Sequence, residues 1–186
     1  INPVKEIIKI AHSKDIPVLI DGAQAVQHIP VDVQDLDCDF FVFSGHKIYA
    51  ETGIGVLFAR EEMLESMPPY KFGGGMISKV SFDKTIFAEI PYKFEAGTSN
   101  ISAVISLGEA ISYVEKIGID KIKKHETELM KYALDRLKSI PGVTIYGNAP
   151  ERSGIISFNI ENIHHYDAVL ILDKLGIAVR SGTHCA

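Results

Sequence analysis

Three apolar runs constrain this chain more than anything else in it. Ile16-Pro-Val-Leu-Ile20, Phe40-Phe-Val-Phe43 and Val56-Leu-Phe58 are unbroken by any polar residue. A strand with one wet face alternates apolar and polar side chains, whereas a strand covered on both faces need not. Runs this short, separated by helical stretches or long connections, predict an α/β layer with both faces of its sheet covered.

The intervening sequence supplies the helices. Pro3 to Ser13 repeats apolar residues at Val4, Ile7, Ile8 and Ala11, with a proline at the first turn. Ala23 to Val26 reads as the start of a short helix, and the acidic stretch Val31 to Asp39 as a crossover between strands. Glu61 to Ser66 reads as a helical turn stopped by Pro68 and Pro69. Phe72 to Asn100 breaks the pattern as an irregular or hairpin excursion, of a length usually reserved for function or an interface. Ile101 to Ile117 has a helical period, with Val104, Ile105, Leu107, Ile111 and Val114 apolar, Ser99 or Asn100 as cap and Gly118 as stop. Ile119 to Ile140 is a second helix, with Ile122, Leu129, Ala133 and Leu137 facing inward. One glycine between two long helices predicts a domain boundary, giving 1–117 and 118–186. The second part reads as a small α+β unit. It has strands at Val143–Tyr146 and Gly154–Ile160, a helix at His164–Leu175 with Ala168, Ile171, Leu172 and Leu175 on one face, and a further strand from Ile177 to Val179.

Composition narrows the function classes. A net charge of -5 with no basic stripe argues against nucleic-acid binding. Lys121, Lys123, Lys124 and Lys131 are interleaved with acids and read as a solvated helix face. No apolar stretch is long enough to span a membrane, and two cysteines in 186 residues do not make a disulfide framework, so an intracellular, cytoplasmic setting is expected. The chain opens without Met on a helix-like run and closes just after a strand-like one. A fragment, a processed chain or one with missing parts is the expectation.

The strand ends carry the chemistry. Asp21 closes the first apolar run, and Lys47 follows the second in Ser44-Gly-His-Lys47. Ligand sites of α/β sheets form at this carboxyl edge of the strands. Taken alone, Lys47 reads first as a solvated lysine, and Asp21 has the alternative of a cap for the turn after it. Together they supply what pyridoxal phosphate requires, an amine for its aldehyde and an anion for its protonated ring nitrogen. Gln24 is suited to donate to the ring's phenolic oxygen, and Ser44 and His46 to hold the phosphate. Arg180 suits an amino-acid carboxylate. Cys185, in a polar loop with a glycine, is suited to react, while Cys38 reads as a small buried hydrophobe and His28 as structural. His184 and Cys185 lack the further spaced ligands of a zinc site, so no metal is expected.

Five segments resemble the pyridoxal-phosphate-dependent cysteine desulfurases of the class V aminotransferase superfamily, in particular the SufS-type branch that includes selenocysteine lyases. They are Val18-Leu-Ile-Asp-Gly-Ala-Gln24, Asp39-Phe-Phe-Val-Phe-Ser-Gly-His-Lys-Ile-Tyr49, Thr52-Gly-Ile-Gly55, Phe94-Glu-Ala-Gly-Thr-Ser-Asn100 and Arg180-Ser-Gly-Thr-His-Cys185. The resemblance implies a fold-type I architecture, with 1–117 as the later part of a large mixed-sheet domain and 118–186 as an incomplete small one. It implies that Lys47 holds the cofactor as a Schiff base and moves protons, with Asp21, Gln24, Ser44 and His46 around it. Arg180 would bind L-cysteine's carboxylate, and Cys185 would take its sulfur as a persulfide with release of L-alanine. Thr98 would reach the cofactor phosphate of a second subunit, implying a homodimer. A SufE- or SufU-like acceptor would pass the sulfur toward iron–sulfur cluster assembly.

The chain departs from the family where Tyr49-Ala-Glu51 replaces Tyr-Gly-Pro and where Thr183 replaces the first of two histidines before the cysteine. Selenocysteine lyase, another class V lyase and an inactive interaction module are the alternative readings. The resemblance also implies absent segments, so turnover by this piece alone is not expected.

Overall fold

The computed structural model describes residues 2–147, 149 and 152–182. It divides into two compact units, residues 2–122 and the residues from 123 onward.

The first unit is organised by a three-stranded sheet. Helix α1 (Val4–His12) leads to β1 (Leu19–Asp21), the short α2 (Val33–Leu36), β2 (Phe40–Ser44) and β3 (Gly55–Ala59). Strand β1 pairs parallel with β2, and β2 antiparallel with β3, so the sheet is mixed. The acidic stretch is the expected crossover. Asp32 starts α2 by accepting the backbone N–H groups of Gln34 at 2.9 Å and Asp35 at 3.1 Å, and Asp37 ends it in the left-handed region at φ 60°. Residues 23–28 form successive turns rather than the expected helix. Val26 and Ile29 bond back four residues, to Gly22 and Ala25, but Ala25 and His28 bond back only three, so no helical ladder develops.

Ile20, Phe41, Phe43, Val56 and Phe58 share one face of the sheet by register, and the core lies there. Ile8, Cys38 and Phe41 form one cluster under α1 and α2. Ile48, Leu107 and Val114 form another beneath α4 (Ile101–Ile117). The opposite face departs from the expectation of two covered faces. Leu19 is 55% exposed and Leu57 50%, because among the described residues nothing covers them.

Helix α3 (Glu61–Ser66) stops before Pro68 as expected. The excursion is a hairpin, β4 (Ile77–Val80) with β5 (Thr85–Phe87), on a neck closed by the Gly97 N–H bonding to the Gly74 carbonyl at 2.8 Å. A Cβ on Gly73 would stand 3.0 Å from the Gly97 nitrogen, so a side chain there would crowd the neck. Asn100 caps α4 by accepting the Ala103 N–H at 3.3 Å. Helix α4 buries Ala103, Leu107, Ala110 and Val114, whereas the apolar Val104 and Ile105 are 47% and 69% exposed. Gly118, at φ 92°, breaks the chain into α5 (Ile119–Lys138).

The second unit holds most of α5, an antiparallel pair β6 (Val143–Tyr146) and β7 (Ser157–Ile160), and α6 (His165–Lys174). Leu129 of α5, expected to be inward, is 54% exposed, and Ile171, on the apolar face of α6, is 56% exposed. Ile177 to Val179 forms no strand, because among the described residues it has no pairing partner. Lys121, Lys123, Lys124 and Lys131 are exposed, as their pattern predicts.

Candidate active site

Parallel pairing decides where the chemistry gathers. β1 and β2 run the same way, so their carboxyl ends form one rim. Asp21 is the last residue of β1 and lies opposite Val42; Ser44, two residues on and on the same face, is the last of β2. The chain then winds into one 3₁₀ turn, Gly45–Ile48, which carries His46 and Lys47. Ile48 anchors this turn in the core at 6% exposure, leaving Lys47 half-buried and His46 exposed. The turn packs tightly against the strand that follows. The Gly45 N–H donates to the Ile54 carbonyl at 2.9 Å, and a Cβ at Gly45 would lie 2.5 Å from Ile54 Cγ2.

Asp21 does two things. Its Oδ1 accepts the Ala23 N–H at 2.9 Å, so it does fix the following turn, and the residue is exposed at the rim. Gly22 makes that turn possible, because a Cβ there would stand 1.9 Å from Phe41 Cζ. Gln24 is exposed, and its Oε1 accepts from Nε2 of the buried Gln27 at 3.0 Å.

The Tyr49-Ala-Glu51 departure has its own contacts. Tyr49 ends the 3₁₀ turn in the left-handed region at φ 70° and sets its ring edge-on to Tyr113, 6.1 Å away. The Glu51 N–H, which a proline would lack, donates to Ser106 Oγ of α4 at 3.0 Å. Thr98 is exposed on the neck leading to α4. Arg180 is exposed in the second unit. Cys185, Thr183 and His184 lie outside the described residues. The first unit therefore gathers Asp21, Gln24, Ser44, His46 and Lys47 on one rim.

The opposite rim holds a polar cluster that sequence reasoning missed. Asp39, 5% exposed just before β2, accepts from His12 Nε2 at 2.9 Å and from the Val18 N–H at 2.6 Å, and its Oδ1 lies 3.4 Å from Arg60 Nε. Arg60 also binds the carboxylate and carbonyl of Asp37. Burial works to raise the Asp39 pKa, but hydrogen bonds from His12 and Val18 and the nearby positive charges win, and it sits below the usual carboxylate range. The ion pair with Asp37 raises Arg60 above its ordinary value. A cavity of about 350 Å³ opens here between His12, Asp37, Arg60 and Met63, where Asp37 is paired with both His12 and Arg60. Burial, reinforced by Asp39, also raises Cys38, which is 1% exposed and so an inert core thiol, as its sequence setting suggests. The missed signal is long-range. Phe40 pairs with Ala59, so Asp39 and Arg60 emerge side by side, which no local period reveals.

The class-V aminotransferase family profile matches residues 1–186. The chain belongs to this family. It is 54% identical to a cysteine desulfurase of Wigglesworthia glossinidia brevipalpis, over 100% of this chain and 45% of that protein. The crystal structure of the cysteine desulfurase CsdA of Escherichia coli superposes with a TM-score of 0.90 at 40% identity, over 96% of this chain and 44% of that one. The apo cysteine desulfurase of Thermococcus onnurineus NA1 gives 0.89 at 40% identity, over 99% and 46%. The chain thus spans about half the length of the relatives it matches. Its mixed α/β architecture is that of the fold-type I pyridoxal phosphate enzymes to which class-V aminotransferases belong. No helix among the described residues is long and apolar enough to cross a membrane, and no described group of three or more His, Cys, Asp or Glu is placed to hold a metal.

Proposed function

We propose that this chain carries the lysine-bearing part of a pyridoxal-phosphate-dependent cysteine desulfurase of the SufS type. The observation that carries the reading is the parallel pairing of β1 and β2, which delivers a carboxylate and an amine to the same rim. Relatives named cysteine desulfurases, at 54% and 40% identity, support the choice of reaction.

The donor set fits the cofactor. Asp21 offers an anion to a ring N–H, Gln24 an amide N–H to a ring oxygen, Ser44 and His46 donors to a phosphate, and Lys47 a half-buried amine to an aldehyde. The bound cofactor supplies an electron sink for the carbon next to the substrate's amine. Asp21 would face the ring nitrogen and favour its protonated form, which would make that sink effective. Lys47 would hold the cofactor's aldehyde through its amine, and that amine would take a proton from the substrate and return it. Arg180 grips the L-cysteine carboxylate with its two-pronged guanidinium. The thiolate of Cys185 attacks the substrate's sulfur; a sulfur–sulfur bond forms as the carbon–sulfur bond breaks, the electron pair stays with the carbon fragment, and protonation there yields alanine. Cys185 is left as a persulfide, from which a SufE- or SufU-like acceptor takes the sulfur for iron–sulfur cluster assembly.

Residues 1–117 belong in this reading to a large domain and 118–186 to a small one. The division into units after Ile122 supports this to within a turn or two of helix. Exposure of Thr98 suits a contact made in a second copy, hence a homodimer. The free thiol of Cys38 suits the reducing cytoplasm.

In the intact holoenzyme, Lys47→Ala is expected to remove the covalent cofactor band and alanine production together. Cys185→Ala is expected to abolish persulfide formation from cysteine. Full turnover by Lys47→Ala would refute the reading. Undiminished turnover of selenocysteine by Cys185→Ala, with cysteine turnover lost, would move it to the lyase.

A further inference from the structure

We infer that Gln27 is a positioning residue that sets which end of the Gln24 carboxamide faces the cofactor. This rests on the proposed reading, in which Gln24 meets the ring's phenolic oxygen.

The two glutamines are three residues apart in the run of turns after β1, so their side chains lie together. Gln24 is exposed at the rim, and Gln27 is 6% exposed behind it. Gln27 Nε2 donates to Gln24 Oε1 at 3.0 Å. An exposed carboxamide has two chemically opposite ends and little to choose between them in water. Here the carbonyl end of Gln24 is held from the protein side, so the NH₂ end is the one turned outward.

That orientation is the one the ligand's chemistry demands. A phenolic oxygen bearing negative charge is an acceptor and is stabilised only by a donor. Were Gln27 rotated by half a turn, its carbonyl would recruit the Gln24 NH₂, and the Gln24 carbonyl would confront the ligand oxygen. The arrangement carries a visible cost. With Gln27's NH₂ committed to Gln24, its own Oε1 points into the interior and accepts no hydrogen bond, the one such buried side-chain atom among the described residues. A buried glutamine retained for the fold would have both ends satisfied. One with a single end satisfied, and that end on a rim residue, is explained by what it does to the rim residue.

The test follows the visible absorption band of the intact holoenzyme through a pH titration, alongside urea unfolding of the cofactor-free protein. Gln27→Met keeps the buried volume and removes the unpaired oxygen. Gln27→Leu is a second apolar replacement should the thioether pack poorly. The expected result is a midpoint about one pH unit higher, because loss of an oriented donor makes the oxygen harder to deprotonate, and about tenfold weaker cofactor binding. Cofactor-free stability is expected to stay unchanged or rise. The shift should vanish in the Gln24→Ala background, since Gln27 acts only through Gln24. An unmoved midpoint in folded Gln27→Met and Gln27→Leu, or an undiminished shift in the Gln24→Ala background, overturns the inference. If Gln24→Ala alone leaves both midpoint and affinity unmoved, the underlying reading of Gln24 fails, and the inference with it.

Discussion

Gly22→Ala tests the packing that supports the rim. The glycine N–H is bonded to the Val42 carbonyl at 2.8 Å, so its backbone is fixed by the sheet and cannot retreat. An added Cβ would stand 1.9 Å from Phe41 Cζ, where ordinary contact begins at 3.4 Å, so the ring has to withdraw by about 1.5 Å. Phe41 is 4% exposed among Ile8 and Cys38 and has no free space to enter. Overpacking of this kind costs about 3 kcal/mol. Phe41→Leu alone costs about 1–2 kcal/mol through the space it leaves. Combined, the new methyl occupies part of that space, and the double variant should be more stable than the sum of the two by about 1–2 kcal/mol. The chain has no tryptophan, so urea unfolding is best followed by far-ultraviolet circular dichroism, comparing midpoints at constant slope. Additive costs, or a Gly22→Ala variant as stable as the parent, would refute the argument that Phe41 dictates glycine at this position.

Two further outcomes follow from single contacts. Asn100→Ala removes the side chain that accepts the Ala103 N–H and should cost about 1 kcal/mol in unfolding free energy, while Asn100→Asp, which keeps the acceptor and adds a charge at the helix N-terminus, should cost little. Because Asp39 titrates below the usual carboxylate range in the folded chain, its contribution is fully present above the unfolded value near about pH 4 and is lost as pH falls through the lower folded value; urea midpoints should therefore drop there in the parent and flatten in Asp39→Asn.

What the sequence revealed and what it hid have different physical origins. The limits of α4 were legible because Asn100 and Gly118 act on their own neighbours, as was the stop of α3 at Pro68. Strands β2 and β3 were legible from continuous apolar character. Turns at 23–28 were not, because composition does not distinguish alternating three- and four-residue bonds from a helical ladder. Nor was the outward position of Val104 and Ile105, since α4 is apolar around most of its circumference and periodicity selects no face. The places of Asp21 and Ser44 at the carboxyl ends of β1 and β2, with Lys47 in the turn that follows, were legible because each apolar run marks its own strand. The Gln24–Gln27 bond and the joining of His12, Asp39 and Arg60 depend on geometry that only the folded chain supplies.

The two aspartates at opposite rims contrast a residue saturated within the fold with one that the proposed function assigns to a ligand. Asp39 is buried and saturated: His12, the Val18 N–H and Arg60 all converge on it. Asp21 is exposed and accepts a single backbone N–H, from Ala23. Asparagine can make that one bond through its own carbonyl oxygen, so Asp21→Asn should change cofactor-free stability by less than about 0.5 kcal/mol. Asp39→Asn forfeits the charge that faces His12 and Arg60 and turns one acceptor into a donor, and should cost about 2–4 kcal/mol. Cofactor binding should invert the order. Asp21→Asn, unable to hold a proton on a ring nitrogen, should weaken binding and shift the visible band, whereas Asp39→Asn, once folded, should bind as the parent does. Parallel urea unfolding of the cofactor-free proteins and spectroscopic titration of each with pyridoxal phosphate measure both orders. Equal destabilisation by the two substitutions would make Asp21 a turn cap like any other, and the rim would lose its anion.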